Sequence, residues 1–391
     1  MYTEITDTKV PIKVWAIDLE KSALVQATTL ANSMPIHHHL SLMPDAHAGI
    51  GMCIGGVLPL DNAISVAAVG TDIGCGMRAM RTSRRDIAME DLKKIYKLIR
   101  KTVPVGFNEH KHPVMWSGFD SMPAYAVLER ERWAAAKQIG TCGSGNHFLE
   151  FQKGSDGYIW VMLHSGSRHL GYAMEKYYLK LAQEKGIVPE NQDLAYFSLD
   201  TALGQEYWHV MNFCLEFARE NRRVMMERVI DAMTSVLDVQ VEDVIDIHHN
   251  YAAIETHFGK SVVVHRKGAT LATRDTIGII PGSMGSCSYI VKGKGNADSF
   301  NSCSHGAGRR MSRGQAKREI TPESHLESLR AIGLEVSGRE GGVDESVFAY
   351  KNIHEVMAAQ EDLIDILVEL KPYLLPAIKG QEGTYETLQE L

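Results

Sequence analysis

The sequence predicts a mixed α/β protein of the α+β class, one compact domain of mixed β-sheets flanked by helices around a central cleft. Three observations lead there. Apolar runs of strand length alternate with amphipathic stretches of helical period. Each strand-like run leads into, or lies close to, a turn rich in glycine or bearing histidine, the usual way mixed α/β enzymes present functional loops at strand ends. Residues of ligand type extend from 45 to past 300 with no Pro/Gly/Ser-rich linker between them, so residues 1–391 read as a single domain whose site is gathered from distant loops.

In chain order, residues 55–60 read as a strand, and the apolar run 64–69 empties into a glycine-rich turn. Residues 86–101 carry caps and an apolar period and predict a helix; 159–163 predict a strand. Residues 198–237 contain a long amphipathic helix with Val210, Cys214, Phe217 and Val224 on one face. Asn221 falls on that same stripe and must find a partner, either core backbone or the contents of a cleft. Residues 262–265 and 277–280 predict two more strands, and Val356, Gln360, Leu363, Leu367 and Leu370 predict a last helix ended by Pro372.

Composition sets limits. With 45% hydrophobic and 23% charged residues in 391, this is an ordinary soluble chain. Residues 1–10 lack the apolar stretch of a secretory signal, and no span reaches membrane length. The six cysteines, at 53, 75, 142, 214, 287 and 303, form no C-x-x-C pair and read as reduced thiols, which places the protein in the cytoplasm. A net charge of −7 excludes coating of nucleic acid by bulk electrostatics. Basic residues are nonetheless concentrated: Arg309, Arg310, Arg313, Lys317 and Arg318 follow one candidate site, and Arg222-Arg223 and Arg266-Lys267 form smaller foci. Beside a site, phosphate binding is the economical reading of such a cluster; elsewhere a solvated helix face serves as well.

The chemistry centres on Asp72-Ile73-Gly74-Cys75-Gly76-Met77, where a glycine-rich turn can fold a carboxylate and a thiol toward one point. An isolated Asp-x-x-Cys is more often a buried cysteine beside a helix-capping aspartate. Here similar segments recur at Pro44–Gly49, Gly143–His147, Leu163–Arg168, Asp246–Asn250 and Cys303–Arg309. A lone histidine in an apolar setting is usually a satisfied core residue, but His147, His164 and His249 each stand at the edge of an apolar run beside Gly, Ser or Asn. Two divalent ions can then be held by Asp72, Cys75 and His147 on one side and Cys75, His164 and His249 on the other, with the thiolate as bridge. Ligand softness alone favours zinc. The loop Ile280–Ser286 can offer backbone N–H groups to an anion, though a plain turn explains it equally well. Asn146 and Glu150 flank His147 as polar contacts to a ligand. His305, set among small residues with arginines just beyond, is an open imidazole suited to attack phosphorus; a structural or metal-binding role is the competing reading.

The segments Pro44–His47, Thr71–Met77, Gly145–Phe148, Leu163–Arg168, His249-Asn250, Ile280–Gly285 and Ser302–Arg309 resemble those of RtcB-type RNA ligases, in that family's order and across nearly the whole chain. The resemblance implies an RtcB-like fold around a metal-containing cleft. It implies a GTP- and manganese-dependent RNA ligase that joins an RNA 3′-phosphate or 2′,3′-cyclic phosphate to a 5′-hydroxyl in RNA repair or tRNA splicing. By similarity, Asp72, Cys75, His147, His164 and His249 hold two Mn²⁺ ions, against the zinc preference of ligand softness; zinc would bind and inhibit. His305 becomes the nucleophile that takes the guanylate from GTP, and Asn146, Glu150, Ser283, Ser288 and Lys379 match guanylate-binding positions. Arg168, Arg309 and Arg313 are candidates for seating RNA phosphates, and an archease-like activator is a conceivable partner.

Three departures stand out. Ile50 occupies a place where the family has Lys, residues 106–138 look short, and residues 381–391 extend beyond the expected end at Lys379-Gly380. A specialised paralogue with a narrower RNA substrate fits them. Two rivals make different predictions. A metal-dependent phosphodiesterase acting on cyclic phosphate ends keeps the metal ligands without needing His305, and a non-catalytic RNA-end-binding protein binds broken ends without turnover.

Overall fold

The structure, a computed structural model, describes residues 3–184, 194–336 and 342–380; residues 381–391 therefore lie outside it. The fold is mixed α+β and carries two large sheets. The first runs in the order Thr3–Ile5, Ile12–Val14, Leu40–His47, Ile54–Leu60, Lys260–Lys267, Asn250–His257. The second runs Val241–His248, Gly76–Thr82, Ile159–Ser165, Phe148–Gly154, Ile364–Pro372, Ser288–Gly293, Ile277–Ile280, with every neighbour antiparallel. Its two end strands approach each other, so this sheet is a nearly closed barrel.

Strand alternation sorts the barrel's side chains. Met77, Ala79, Trp160, Met162, Ile279, Ile290 and Leu370 pack together as its lining. The alternate residues Met80, Leu149, Phe151, Val161 and Leu163 face outward and are covered by Met225, Met226 and Val229 of the helix Ala202–Thr234. That helix has 33 residues and is about 50 Å long at the usual rise. Thr201 caps it, accepting from the Gly204 N–H. It realises the amphipathic stretch at 198–237. Asn221 on its stripe is fully buried and bonds core backbone, which resolves the two readings of that residue.

The strands expected at 55–60, 159–163, 262–265 and 277–280 are present as Ile54–Leu60, Ile159–Ser165, Lys260–Lys267 and Ile277–Ile280. The helix expected at 86–101 is Met89–Thr102, entered through Ala88 with no side-chain cap. All six cysteines are free thiols. Among the described residues no helix is long and apolar enough to cross a membrane.

The final helix is a correction. Only Ile353–Ala358 is helical, and Ile364–Pro372 is a strand between Ser288–Gly293 and Phe148–Gly154. The apolar spacing that suggested helix arises because a register shift at Ile290/Val291 breaks the strand's alternation. Ile366 and Leu367 are left exposed while Ile364 and Leu370 are buried. Barrel pairing overrides the local period.

Candidate active site

The strand register of the barrel builds a cluster of ligand-type atoms. Gly76 pairs with Ser165, and His164 pairs with both Met77 and Phe148. Cys75 just before Gly76, His147 just before Phe148, and His164 itself are thereby brought to one rim. His249 is the single residue between Val241–His248, an edge of the barrel, and Asn250–His257, an edge of the first sheet. Its N–H donates to the Cys75 carbonyl at 2.8 Å, so the cluster sits where the sheets meet.

The distances are short. Cys75 Sγ lies 3.3 Å from His147 Nε2 and 3.2 Å from His164 Nε2. His164 Nε2 is 3.2 Å from His249 Nε2, and Asp72 Oδ2 is 3.0 Å from His147 Nε2. The Ser167 N–H donates to Asp72 Oδ1 at 3.1 Å. Gly166 leaves room for this carboxylate, since a Cβ there would stand 2.3 Å from Asp72 Oδ1 and push it aside.

Hydrogen bonds alone cannot satisfy this group. His164 Nδ1–H donates to the Asn146 carbonyl at 3.0 Å, leaving a bare Nε2 aimed at Cys75 and His249. His147 Nδ1 and His249 Nδ1 are buried with no hydrogen-bond partner. Burial, reinforced by positive neighbours, holds His164 and His249 well below the usual histidine range, so both are neutral. Burial and the Asp72 carboxylate raise the Cys75 thiol, with Arg222 pulling the other way. Asp72 resists the upward pull of its burial through His147 and Arg168 and stays ionised. Imidazoles, a carboxylate and a thiol converging on one point fit a cation, on which the thiol would ionise. Cys75, His147 and His164 together could hold a metal ion.

His305 lies beside this cluster, its ring centroid 4.9 Å from that of His249. It follows the strand Ser302–Ser304. Its Nδ1–H donates to Asp45 Oδ2 at 2.6 Å, and the N–H groups of His305 and Gly306 donate to the same oxygen at 3.2 and 3.3 Å. Asp45 is fully buried; burial raises its carboxyl, but the charges of His305, His47 and Lys351 and the His305 bond hold it below the usual range. Gly308, at φ +74°, lets the chain pass against the Asp45 backbone. With Nδ1 fixed as donor, the neutral form of the His305 ring carries its lone pair on Nε2.

A cleft of about 210 Å³ opens here, lined by Asn146, Glu150, His164, Ser283, Ser288, His305, Arg309, Arg313 and Lys379, with His47, Glu345 and Tyr350. All five guanylate candidates therefore share one cavity with His305. Glu150 and Ser288 come from the barrel strands, linked through Gln152, whose Nε2 donates to Glu150 and, at 3.1 Å, to Ser288 Oγ. Burial raises the Glu150 carboxyl to about 7. In the loop Ile280–Ser286 three N–H groups are already spent: Gly282 donates to Ser288 Oγ, Ser283 to Ser286 Oγ and Ser286 to the Ser283 carbonyl.

Arg309 and Arg313 reach the cleft but are ion-paired. Arg313 Nη1 is 2.7 Å from Asp344 and also bonds Glu345, Arg309 Nη1 is 3.4 Å from Glu345, and Lys379 Nζ is 3.6 Å from its other oxygen. Burial raises Glu345, but Lys379 and Arg313 outweigh it and keep the carboxylate charged. Arg168 does not line the cleft; it donates to Thr141 Oγ1 at 3.0 Å and the Gly106 carbonyl at 2.7 Å behind the metal-ligand turn. Arg222 and Arg266 are fully buried, paired with Asp246 and Glu255. Of these two basic foci, Arg222 and Arg266 are internal ion pairs, whereas Arg223 pairs with Glu220 and Glu227 on the helix surface and Lys267 donates to the Ile50 and Ala67 carbonyls.

Sequence reasoning missed four residues. Asp45 lay in a flagged segment without a role; Arg222 looked like part of a surface dyad; nothing local marks Glu345 or Tyr350.

The profile of a family described as "tRNA-splicing ligase RtcB" matches residues 26–125 and 118–380. Its two segments meet inside 106–138, the stretch that looks short. The chain is 37% identical to RNA-splicing ligase RtcB of Escherichia coli K12 over 411 aligned positions, covering 97% of this chain and 100% of that protein. It is 32% identical to tRNA-splicing ligase RtcB of Nanoarchaeum equitans, covering 95% of each.

Proposed function

We propose that this chain, which belongs to the RtcB family of RNA-splicing ligases, joins RNA 3′-phosphate or 2′,3′-cyclic phosphate ends to 5′-hydroxyl ends using GTP, in RNA repair or tRNA splicing. The observation that carries the reading is His305: an imidazole with Nδ1 anchored on buried Asp45, opening on the cleft that His164 of the metal-type cluster and the guanylate candidates line. Asp72, Cys75, His147, His164 and His249 would hold two Mn²⁺ ions, which would supply neutralisation of the phosphate charge.

The chain's own groups then have definite tasks. Asp45 orients His305 and stabilises its positive charge after attack, the role a carboxylate plays behind a catalytic histidine. His305 Nε2 attacks the α-phosphorus of GTP, a P–N bond forms as pyrophosphate leaves, and a 3′-phosphate oxygen of the RNA next displaces the histidine. The RNA 5′-hydroxyl attacks the activated 3′-phosphorus and GMP departs. Asn146, Glu150, Ser283, Ser288 and Lys379 seat the guanylate. Arg309 and Arg313 on the cleft, and Arg168 behind it, are the candidates for RNA phosphates, and an archease-like protein is a candidate activator.

Incubation with Mn²⁺ and α-labelled GTP tests this. Acid-labile label on the wild type and none on His305→Ala is expected; unlabelled wild type, or label surviving His305→Ala, would sink the mechanism.

A further inference from the structure

We propose that Arg222 is the positioning residue of the metal centre, one guanidinium that ties together the chain segments carrying Cys75, His164 and His249. This rests on reading those side chains as metal ligands.

Arg222 sits within the helix Ala202–Thr234 at 0% exposure. Its Nη1 donates to the Gly74 carbonyl at 2.9 Å and the Ser165 carbonyl at 3.1 Å, the residues adjoining Cys75 and His164. Its Nη2 reaches Asp246 Oδ1 at 2.6 Å and its Nε reaches Oδ2 at 3.3 Å, on the strand that delivers His249. Arg78 completes the carboxylate's shell at 3.0 Å from the strand that follows Cys75. The preceding residue, Asn221, ties the same helix to residues 140–141 and 165–166. Its Oδ1 accepts from the N–H groups of Gly140 and Thr141 at 2.7 and 3.0 Å, and its Nδ2 donates to Thr141 O, Ser165 Oγ and Gly166 O at 3.1, 3.1 and 3.0 Å.

Stability alone is a poor reason for this arrangement. A buried ion pair often contributes no more than a well-packed apolar substitute. Its distinctive gift is geometry. Gly74 and Ser165 lie where strands turn to present ligands, and their carbonyls need a donor there. A planar fork reaches both carbonyls and a carboxylate at once, which an ammonium cannot do. Arg266 offers a contrast within the molecule: equally buried, it bonds Glu255, Tyr251, Ser302 and the Phe300 carbonyl, none of which adjoins Cys75, His164 or His249 in the chain.

Calorimetric titration of the metal-stripped full chain with Mn²⁺, with Co²⁺ absorption as a spectroscopic readout of thiolate ligation, tests the proposal on Arg222→Lys and Arg266→Lys. Arg222→Lys should bind Mn²⁺ roughly 10- to 100-fold more weakly and weaken the Co²⁺–thiolate band, the range seen when groups supporting metal ligands are removed. Arg266→Lys should lose metal-free thermal stability yet keep its affinity. A folded Arg222→Lys that binds within threefold of wild type, or equal losses in both variants, overturns the idea. If Arg222→Lys does not fold, Asp246→Asn decides, with weakened binding expected and wild-type affinity contradicting. A wild type that binds Mn²⁺ but takes no label from GTP would remove the ligase reading and leave this inference standing.

Discussion

The two ends of the cleft have opposite electrostatic characters. At one, where His164 lines the cleft, Cys75, His147 and His164 turn ligating atoms on one another and His147 Nδ1 is buried without a hydrogen-bond partner. At the other, Arg309, Arg313 and Lys379 are already met by Glu345. The first end could hold a metal ion; the second already carries its own counter-charge, so an anion entering there would share its cations with a carboxylate. Fold stability should therefore depend on the second end and metal affinity on the first.

A crossed pair of substitutions gives the largest effects and can break this contrast. Glu345→Gln takes the counter-charge from the largely buried Arg309 and Lys379 and leaves Arg313 only Asp344, and should cost about 3 kcal/mol in chemical denaturation while leaving Mn²⁺ affinity unchanged. Cys75→Ala should change metal-free stability little and weaken Mn²⁺ by more than the roughly 100-fold of an outer-shell loss. Unchanged metal binding in Cys75→Ala would erase the distinction.

Asp45→Asn sharpens the boundary between the ends. An amide can donate to His305 Nδ1 and drive the proton to Nε2, so guanylylation should fall on the order of 10²–10⁴-fold in a single-turnover assay, with metal affinity intact. A smaller effect follows from Glu150. Burial raises its carboxyl from 4.5 to about 7, so the folded chain binds more protons than the unfolded one between those values and is destabilised as pH rises through them. Glu150→Gln should remove up to about 3 kcal/mol of that decline, seen as a flatter melting temperature between pH 5 and 8. An identical slope in the variant would contradict the assignment. Least of all, Ile50→Lys at an exposed position should move stability by no more than about 0.5 kcal/mol, yet steepen the salt dependence of RNA binding by about 0.7 in log–log slope.

How much of this could be read in the sequence depended on the range of the interaction. The turn Asp72–Met77 and the histidines at strand edges were legible because glycine and polar residues interrupt apolar runs there. The shared cleft of Asn146, Glu150, Ser283, Ser288, Lys379 and His305 came through resemblance, and barrel alternation gives it a physical basis. The strand Ile364–Pro372 was misread as helix because its pairing, not its local period, decides its form. Arg222 looked like half of a basic dyad; its partner Asp246 is brought near only when Val241–His248 pairs with Gly76–Thr82. Glu345 has no local mark at all, since its meaning lies in three cations from distant segments.

One measurement joins both ends of the cleft. The full chain is incubated with α-labelled GTP, with and without Mn²⁺, and the label is mapped to a peptide in wild type and Cys75→Ala. The account predicts label on the His305 peptide, dependent on Mn²⁺ and lost in Cys75→Ala. Label on another residue, or full labelling of Cys75→Ala, would contradict it.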